Sequence, residues 1–246
     1  MPQLILLGTA GYHPSERRQT SCALVPESGI VVDAGTGLFR LRDYIQTETL
    51  DIFLSHAHLD HTIGLTFLYD VIFERPLKRI TVHGLADKLE ALERHLFNEH
   101  LFPVAPPYES RAFVAGDSIA LADCVVQTFP LEHPGGSTGL RFNWPDRSMA
   151  VITDTTARDD APYLEHIGNL DLLVHECFFP EGDDALADKT GHSCAGPVGA
   201  VARKVQPKQL VLSHVNPLDN VEPPIDTAEV DFPGVILGHD HQVIEF

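Results

Sequence analysis

The 246-residue sequence is short of several things, and each shortage excludes something. It has no apolar run near the ~18 residues a membrane-crossing helix needs, which rules out a spanning protein. Basic residues are few, 17 Lys and Arg against 35 Asp and Glu, for a net charge of −18. Nothing is denser than the local pairs Arg17-Arg18 and Arg203-Lys204, whereas a duplex-binding face shows clustered Lys and Arg. Acidity gathers in the second half, around Asp183-Asp184 and from Glu222 to Asp231. A small anionic substrate remains compatible, because bound cations invert the field locally; duplex nucleic acid and other long polyanions are disfavoured. There are four cysteines, Cys22, Cys124, Cys177 and Cys194, with no CxxC pairing. That usage suits reduced thiols in a cytoplasm better than a disulfide framework. Low-complexity tracts, internal sequence repeats and flexible linkers are also missing, so residues 1–246 read as one domain. Met1–Gly8 lacks a basic leader region and runs straight into a glycine turn, which reads as a first strand and not a signal peptide.

What is present alternates. Apolar, β-type runs fall at Gln3–Leu7, Cys22–Val25, Ile30–Val32, Ile52–Leu54, Ile80–Val82, Val125–Phe129, Met149–Ile152, Leu172–Val174 and Gln209–Leu212, with a closing strand at Val243–Phe246. Helical periodicity is clearest over Thr62–Phe73 and recurs over Leu85–Phe97 and Pro197–Val205, where Pro197 suits a first turn. This alternation predicts α/β architecture with helices covering sheets. The Pro-rich stretch Leu101–Ser110 reads as a loop, lying over a substrate or against a second subunit of a homodimer.

The strongest chemical feature is Ser55-His56-Ala57-His58-Leu59-Asp60-His61, directly after an apolar strand. Three imidazoles and a carboxylate in six residues are hard to reconcile with packing, since an unpartnered buried Asp costs several kcal/mol. A tight loop at a strand end can instead fan them around two cations, and the ligand types suit zinc, manganese or iron. The plain alternative is a solvated polar loop. One loop cannot complete two coordination shells, so further ligands are expected at other strand ends. His133, Asp154 and His214 each stand alone just past an apolar strand, where sheet proteins build their sites.

HAHLDH, followed in order by HPGGSTGLRF, TDT, VHE, GHS and LSH, resembles the metallo-β-lactamase-fold hydrolases, and within them the ribonuclease Z and phosphodiesterase branch. The resemblance implies an αββα sandwich, two mixed β-sheets packed face to face with helices outside. It implies two divalent metal ions, one held by His56, His58 and His133 and the other by Asp60, His61 and His214, with Asp154 bridging both. It also gives His192, in Gly191-His192-Ser193, the place facing a scissile phosphate, and Glu176, in His175-Glu176, the task of orienting it. A structural alternative makes His192 a cap for the following helix and Glu176 a surface acid. Asp33, between an apolar strand and a Gly-rich turn, can orient a ligand histidine or simply close a turn.

Two such cations, if held as the resemblance implies, would lower the pKa of coordinated water and supply hydroxide at neutral pH. Asp60 would orient that nucleophile while serving as ligand, and His192 would meet the leaving oxygen. Ribonuclease Z proteins carry a long basic arm that grips transfer RNA. Neither Pro134–Thr153 nor Thr155–Val174 offers one here, so a small phosphodiester, such as a cyclic nucleotide or cyclic ribose phosphate, is expected. Three alternatives stay open: a transfer RNA 3′-processing endonuclease, a hydrolase of another ester, and a metal-loaded binding protein without turnover.

The remaining histidines receive a plainer reading. His83, His95, His100 and His166 are taken as ordinary surface or core residues. His239-Asp240-His241 looks like a metal cluster only by composition. His13, in the loop with Arg17 and Arg18, is a candidate substrate contact, and Thr9-Ala10-Gly11 and Gly135–Thr138 are read as small-residue loops open to a substrate. Cys177 and Cys194 are read as small buried apolar fillers, with a thiol role as the alternative.

Overall fold

The computed structural model describes residues 2–74, 77–218 and 225–246, so the start of the acidic run Glu222–Asp231 lies outside the described residues. The chain separates into two compact units, residues 1–114 with 240–245, and residues 115–239 with Phe246. Each unit contains one seven-stranded mixed sheet with helices, the α/β class expected from the alternating pattern.

In the first unit the strands are β1 (Gln3–Gly8), β2 (Cys22–Val25), β3 (Ile30–Val32), β4 (Thr49–Phe53), β5 (Arg79–Leu85), β6 (Glu109–Phe113) and the chain's last strand, β14 (Val243–Glu245). They lie in the order β14-β1-β2-β3-β4-β5-β6, the first three neighbouring pairs antiparallel and the last three parallel. Helices α1 (Leu41–Tyr44), α2 (Leu59–Thr62), α3 (Leu68–Glu74) and α4 (Ala86–Ala91) accompany them. Leu41, Leu65, Leu68, Val71 and Leu89 bury themselves against Leu7, Leu24, Val31, Ile52 and Val82 of the sheet. Each such side chain stabilises the unit by about 2 kcal/mol. The opposite face of the sheet, with Leu4, Leu6, Ile30, Val32 and Phe53, is buried too. Burial on both faces is why these strands are apolar at nearly every position instead of alternating.

Three expectations need correction here. The helix expected over Thr62–Phe73 is three pieces: α2 starting earlier at Leu59, a tight 3-10 turn over Ile63–Phe67, and α3. The Gly64 amide donates to Ala34 O at 2.8 Å, outside the helix, which takes one rung from the ladder. The helix expected from Leu85 begins at Ala86, because Leu85 is held in the β5–β6 ladder opposite Phe113, and after Ala91 it widens into a π-type turn over Leu92–Leu96. The loop expected over Leu101–Ser110 ends at Tyr108, since Glu109 and Ser110 begin β6. That loop is tied down: Tyr69 donates to Ala105 O at 3.0 Å, and the Phe97 ring meets Phe102 and Tyr108 edge-on.

The second unit holds β7 (Ser118–Ala120), β8 (Val125–Leu131), β9 (Ser137–Asn143), β10 (Ser148–Ile152), β11 (Leu172–Glu176), β12 (Gln209–Ser213) and β13 (Ile236–Leu237), adjacent in sequence order. Helices α5 (Asp184–Thr190), α6 (Ala195–Val205) and α7 (Ile225–Asp231) belong to it. Its sheet repeats the pattern of the first, three antiparallel pairs and then three parallel ones. Val198, Val201 and Ala202 of α6 pack against Leu173, Leu210 and Leu212. Among the boundaries that differ from expectation, β8 and β11 each run two residues further, to Leu131 and Glu176. Ser137 and Thr138 are the first residues of β9, not loop, and α6 starts at Ala195, two residues before Pro197. Pro197 still lies in the first turn, where an amide has no intrahelical acceptor. Among the described residues no helix is long and apolar enough to cross a membrane.

Candidate metal centre

The repeated strand pattern puts two carboxylates at matching places. Asp33 follows β3 and Asp154 follows β10, each the fourth strand in its sheet order, and both adopt a left-handed backbone, with φ of +58° and +53°. His214, just after β12, does the same at +51°. A non-glycine residue there costs about 1 kcal/mol or more, and such strain concentrates where a side chain must be aimed.

In the first unit, β4 leads into Ser55, and the Ser55 amide and hydroxyl both donate to Asp33, at 2.8 and 3.0 Å. His61 Nδ1 lies 2.7 Å from the same carboxylate, and His56 Nδ1 lies 3.0 Å from the Ser55 hydroxyl oxygen. This network places a proton on Nδ1 of both rings, so Nε2 carries the lone pair. The ring centre of His56 stands 4.4 Å from that of His58 and 4.3 Å from that of His61. Asp60 Oδ2 is 3.4 Å from His61 Nε2 and accepts the Tyr12 amide at 2.7 Å. Gly35 allows the close approach this requires, since a Cβ there would strike the backbone oxygens of Asp60 and Ser21.

In the second unit, Asp154 is buried between two imidazoles, its Oδ2 3.5 Å from His133 Nε2 and its Oδ1 3.3 Å from His214 Nε2. His133 Nδ1 donates to Gly191 O at 3.0 Å. Gly191 ends α5 in the left-handed region, and a Cβ on it would meet His133 Nδ1 at 2.9 Å. His192 stacks on Phe178 and on His214, at centroid distances of 5.0 and 5.5 Å. Ligand atoms of Asp154, His192 and His214 lie within 4.8 Å of one another. His192 Nδ1 donates to Glu176 Oε1 at 3.0 Å. Glu176 is buried and accepts three backbone amides as well, those of Thr155, Phe178 and Ser193. Glu176 is thus no surface acid, and the residue before α6 is Cys194, not His192.

The first unit therefore assembles His56, His58, Asp60 and His61, and the second assembles His133, Asp154, His192, His214 and Glu176. Imidazole nitrogens and carboxylate oxygens, held by Nδ1–H bonds to carboxylate, hydroxyl or carbonyl oxygens, are the donor chemistry of zinc and of its manganese and iron counterparts, and the residues fit such ions. Sequence reasoning passed over Ser55 as the link from Asp33 to His56, the Gly191 carbonyl behind His133, and Phe178 under His192.

The other singled-out residues have structural roles or open positions. Asp240 is a buried hub that accepts the amide and hydroxyl of Thr9, the Gln19 amide and Arg40, while His241 bonds Tyr44. His83 bonds Asp51 at 2.8 Å and stacks on Phe53; His166 stacks on Phe129; His95 and His100 lie toward the surface. Burial, with the Glu176 carboxylate adding, drives the Cys177 thiol well up, and burial takes Cys194 to about 12. Neither is a thiolate at neutral pH.

A family model described as "Beta-lactamase superfamily domain" matches residues 29–215. The ribonuclease Z of Bradyrhizobium diazoefficiens is 26% identical over 300 aligned positions, covering 98% of this chain and 99% of that protein. Among solved structures, a metallo-β-lactamase-fold protein of Bacillus subtilis superposes with a TM-score of 0.82 at 20% identity, over all of both chains. The short form of human tRNase Z superposes at 0.76 with 22% identity, over 99% of this chain and 98% of that one.

Proposed function

Because this chain belongs to the beta-lactamase superfamily, where it is a metal-dependent hydrolase of the metallo-β-lactamase fold, we propose that it cleaves small phosphodiesters. Its ligands are His56, His58 and His133 for one divalent cation and Asp60, His61 and His214 for a second, with Asp154 shared. Zinc is the first choice, with manganese or iron as substitutes. Such ions, when bound, acidify coordinated water and neutralise charge on the phosphoryl oxygens. Asp60 orients the attacking water. Its Oδ2 is fixed from behind by the Tyr12 amide. His192 presents Nε2 to the leaving oxygen and gives it a proton, and Glu176 holds the ring from Nδ1. One observation carries this reading: a buried glutamate that already takes three amides also takes His192 Nδ1, on the oxygen that accepts the Thr155 amide, and so aims the ring beside Asp154 and His214.

The substrate is read as small for three reasons. Net charge is −18. Pro134–Thr153 is taken up by β9 and β10 and the turns beside them, leaving no length for an arm. The Bradyrhizobium alignment spans 300 positions against 246 residues here, so that ribonuclease carries at least 54 positions without a counterpart. The relatives' names favour a second reading, processing of transfer RNA 3′ ends, which predicts RNA affinity that falls steeply with salt.

Elemental analysis and turnover on one purified sample test the proposal, with bis-p-nitrophenyl phosphate and a 2′,3′-cyclic nucleotide as substrates. About two metals per chain with chelator-sensitive turnover of both esters is the expected result. Metal without turnover of either ester would overturn the phosphodiester assignment, and no metal after reconstitution with zinc or manganese would overturn the ligand set.

A further inference from the structure

Tyr12 stands out in the loop between β1 and β2 for three independent reasons. Its backbone is left-handed, φ +65°, a conformation that glycine takes at no cost and tyrosine does not. Its amide is committed to Asp60 Oδ2 at 2.7 Å, so the residue is anchored directly on a carboxylate of the proposed site. Yet Tyr12 is 75% exposed, its ring meeting His13 edge-on at 5.1 Å.

The loop that carries it is not slack. Asp240 draws its two ends together through the Thr9 amide at 3.0 Å, the Thr9 hydroxyl at 2.7 Å and the Gln19 amide at 2.6 Å. Arg40 neutralises Asp240 at 2.6 Å, and the buried Arg18 donates to the Thr9 hydroxyl at 2.7 Å. His13 is held by its own bond from Nδ1 to Pro14 O at 2.9 Å. A rigid loop thus presents an aromatic face to solvent in a strained backbone conformation, one hydrogen bond away from the Asp60 carboxylate. Folding gains little from that exposed ring, and a glycine would relieve the strain. An exposed π-face fixed beside a phosphodiester site has the chemistry of a base-stacking platform.

We propose that Tyr12, with His13 against its edge, stacks the nucleobase of the substrate, so that the preferred small phosphodiester is a nucleotide and not a base-free sugar phosphate. This rests on the phosphodiesterase reading. The test compares wild type with Tyr12→Gly and Tyr12→Trp, measuring KM and kcat on 2′,3′-cyclic AMP and on a base-free ribose cyclic phosphate, together with calorimetric binding of adenosine 3′-monophosphate. Tyr12→Gly should raise the nucleotide KM about five- to a hundredfold and weaken monophosphate binding by a similar factor. It should move the base-free KM far less and leave the melting temperature no lower, while Tyr12→Trp should restore nucleotide binding. Equal losses on both esters, or an unchanged nucleotide KM, would overturn the assignment. Should wild type turn over neither ester, the phosphodiesterase reading fails by itself, and Tyr12-dependent binding of adenosine 3′-monophosphate still decides the stacking role.

Discussion

Asp33 and His61 meet at 2.7 Å, Oδ2 to Nδ1, where neither side chain exposes more than 1% of its surface. The same carboxylate takes the amide and hydroxyl of Ser55, so one residue after β3 fixes the start of the histidine loop and its last ring together. Its left-handed backbone is what turns it there. On the proposed ligand set, losing this partner weakens metal binding, and it also leaves the buried Ser55 amide without its acceptor, at a cost of about 1–3 kcal/mol in stability. Asp33→Ala should lower metal affinity about 10- to 100-fold, read by competition against a chromophoric chelator, with an unchanged far-ultraviolet dichroism spectrum. Asp33→Asn, which keeps an acceptor oxygen, should lose less. Wild-type affinity in the alanine variant would remove Asp33 from the site.

Glu176 and His192 give the matching test in the second unit. His192→Ala should cut kcat on a phosphodiester by about 10²–10⁴ while leaving metal content intact. Glu176→Gln should cost less in rate, about 10–100-fold, and should shift the pH dependence of kcat, because the ring loses its anionic partner. It should also cost about 1–3 kcal/mol of stability, since the amide that replaces one oxygen cannot accept the backbone N–H groups now bound there. Normal turnover by His192→Ala contradicts the role assigned to it.

Much of this was legible in the sequence for definable reasons. Ile30–Val32 and Cys22–Val25 were found to the residue because strands buried on both faces are apolar throughout. β6 was not, because ESRAF is an edge strand exposed at four of its five positions and carries almost no apolar signal. β9 begins with Ser137-Thr138-Gly139, residues that announce a turn until pairing with Leu131, Pro130 and Phe129 of β8 overrides them. The ligand-type residues were legible because a lone imidazole or carboxylate just past an apolar strand does little for packing and much for a cation. Asp33 and Glu176 were readable as candidate partners of histidines, but two further supports were not: the Gly191 carbonyl has no side-chain letter, and Phe178 reads as any buried aromatic. The equivalence of Asp33 and Asp154 was invisible as well, since the two sheets share a strand pattern without sharing a sequence repeat.

Asp51 of β4 offers a test of the scaffold that bypasses the metal. Burial raises its pKa, but hydrogen bonds from His83 and Arg79 outweigh that and bring it to about 2. Both oxygens are engaged, at 2.8 Å to His83 Nε2 and at 3.0 and 2.8 Å to the two ends of the Arg79 guanidinium. A carboxyl whose folded pKa is depressed contributes stability above its unfolded pKa of about 3.9, lost as pH falls toward 2. Asp51→Asn should therefore lose about 2 kcal/mol in urea unfolding at pH 7, and the gap from wild type should close between pH 4 and pH 2. A gap that stays constant over that range would show that the loss is one of packing and not of charge.

His175 makes the opposite residue type behave in the same direction. It is fully buried in β11, with Nδ1 donating to Glu176 O at 2.8 Å and Nε2 3.0 Å from the Tyr163 hydroxyl, which donates to it. Burial lowers its pKa, against smaller upward pulls from the Glu176 carbonyl and carboxylate. The folded protein thus holds this ring neutral while the unfolded chain protonates it near pH 6.5. Because the unfolded state then binds more protons, the stability tied to His175 is complete above about pH 6.5 and drains away as pH falls below it, by up to about 1.4 kcal/mol per pH unit. His175→Phe removes the titration and also strands the Tyr163 hydroxyl, so it should be the weaker protein at pH 7.5. Urea melts of chelator-treated wild type and variant at pH 7.5, 6 and 5 should converge with acid, since all other groups are shared and only wild type carries the extra proton uptake of His175. Parallel curves would mean that His175 is protonated inside the fold, and that Tyr163 accepts its hydrogen bond instead of donating one.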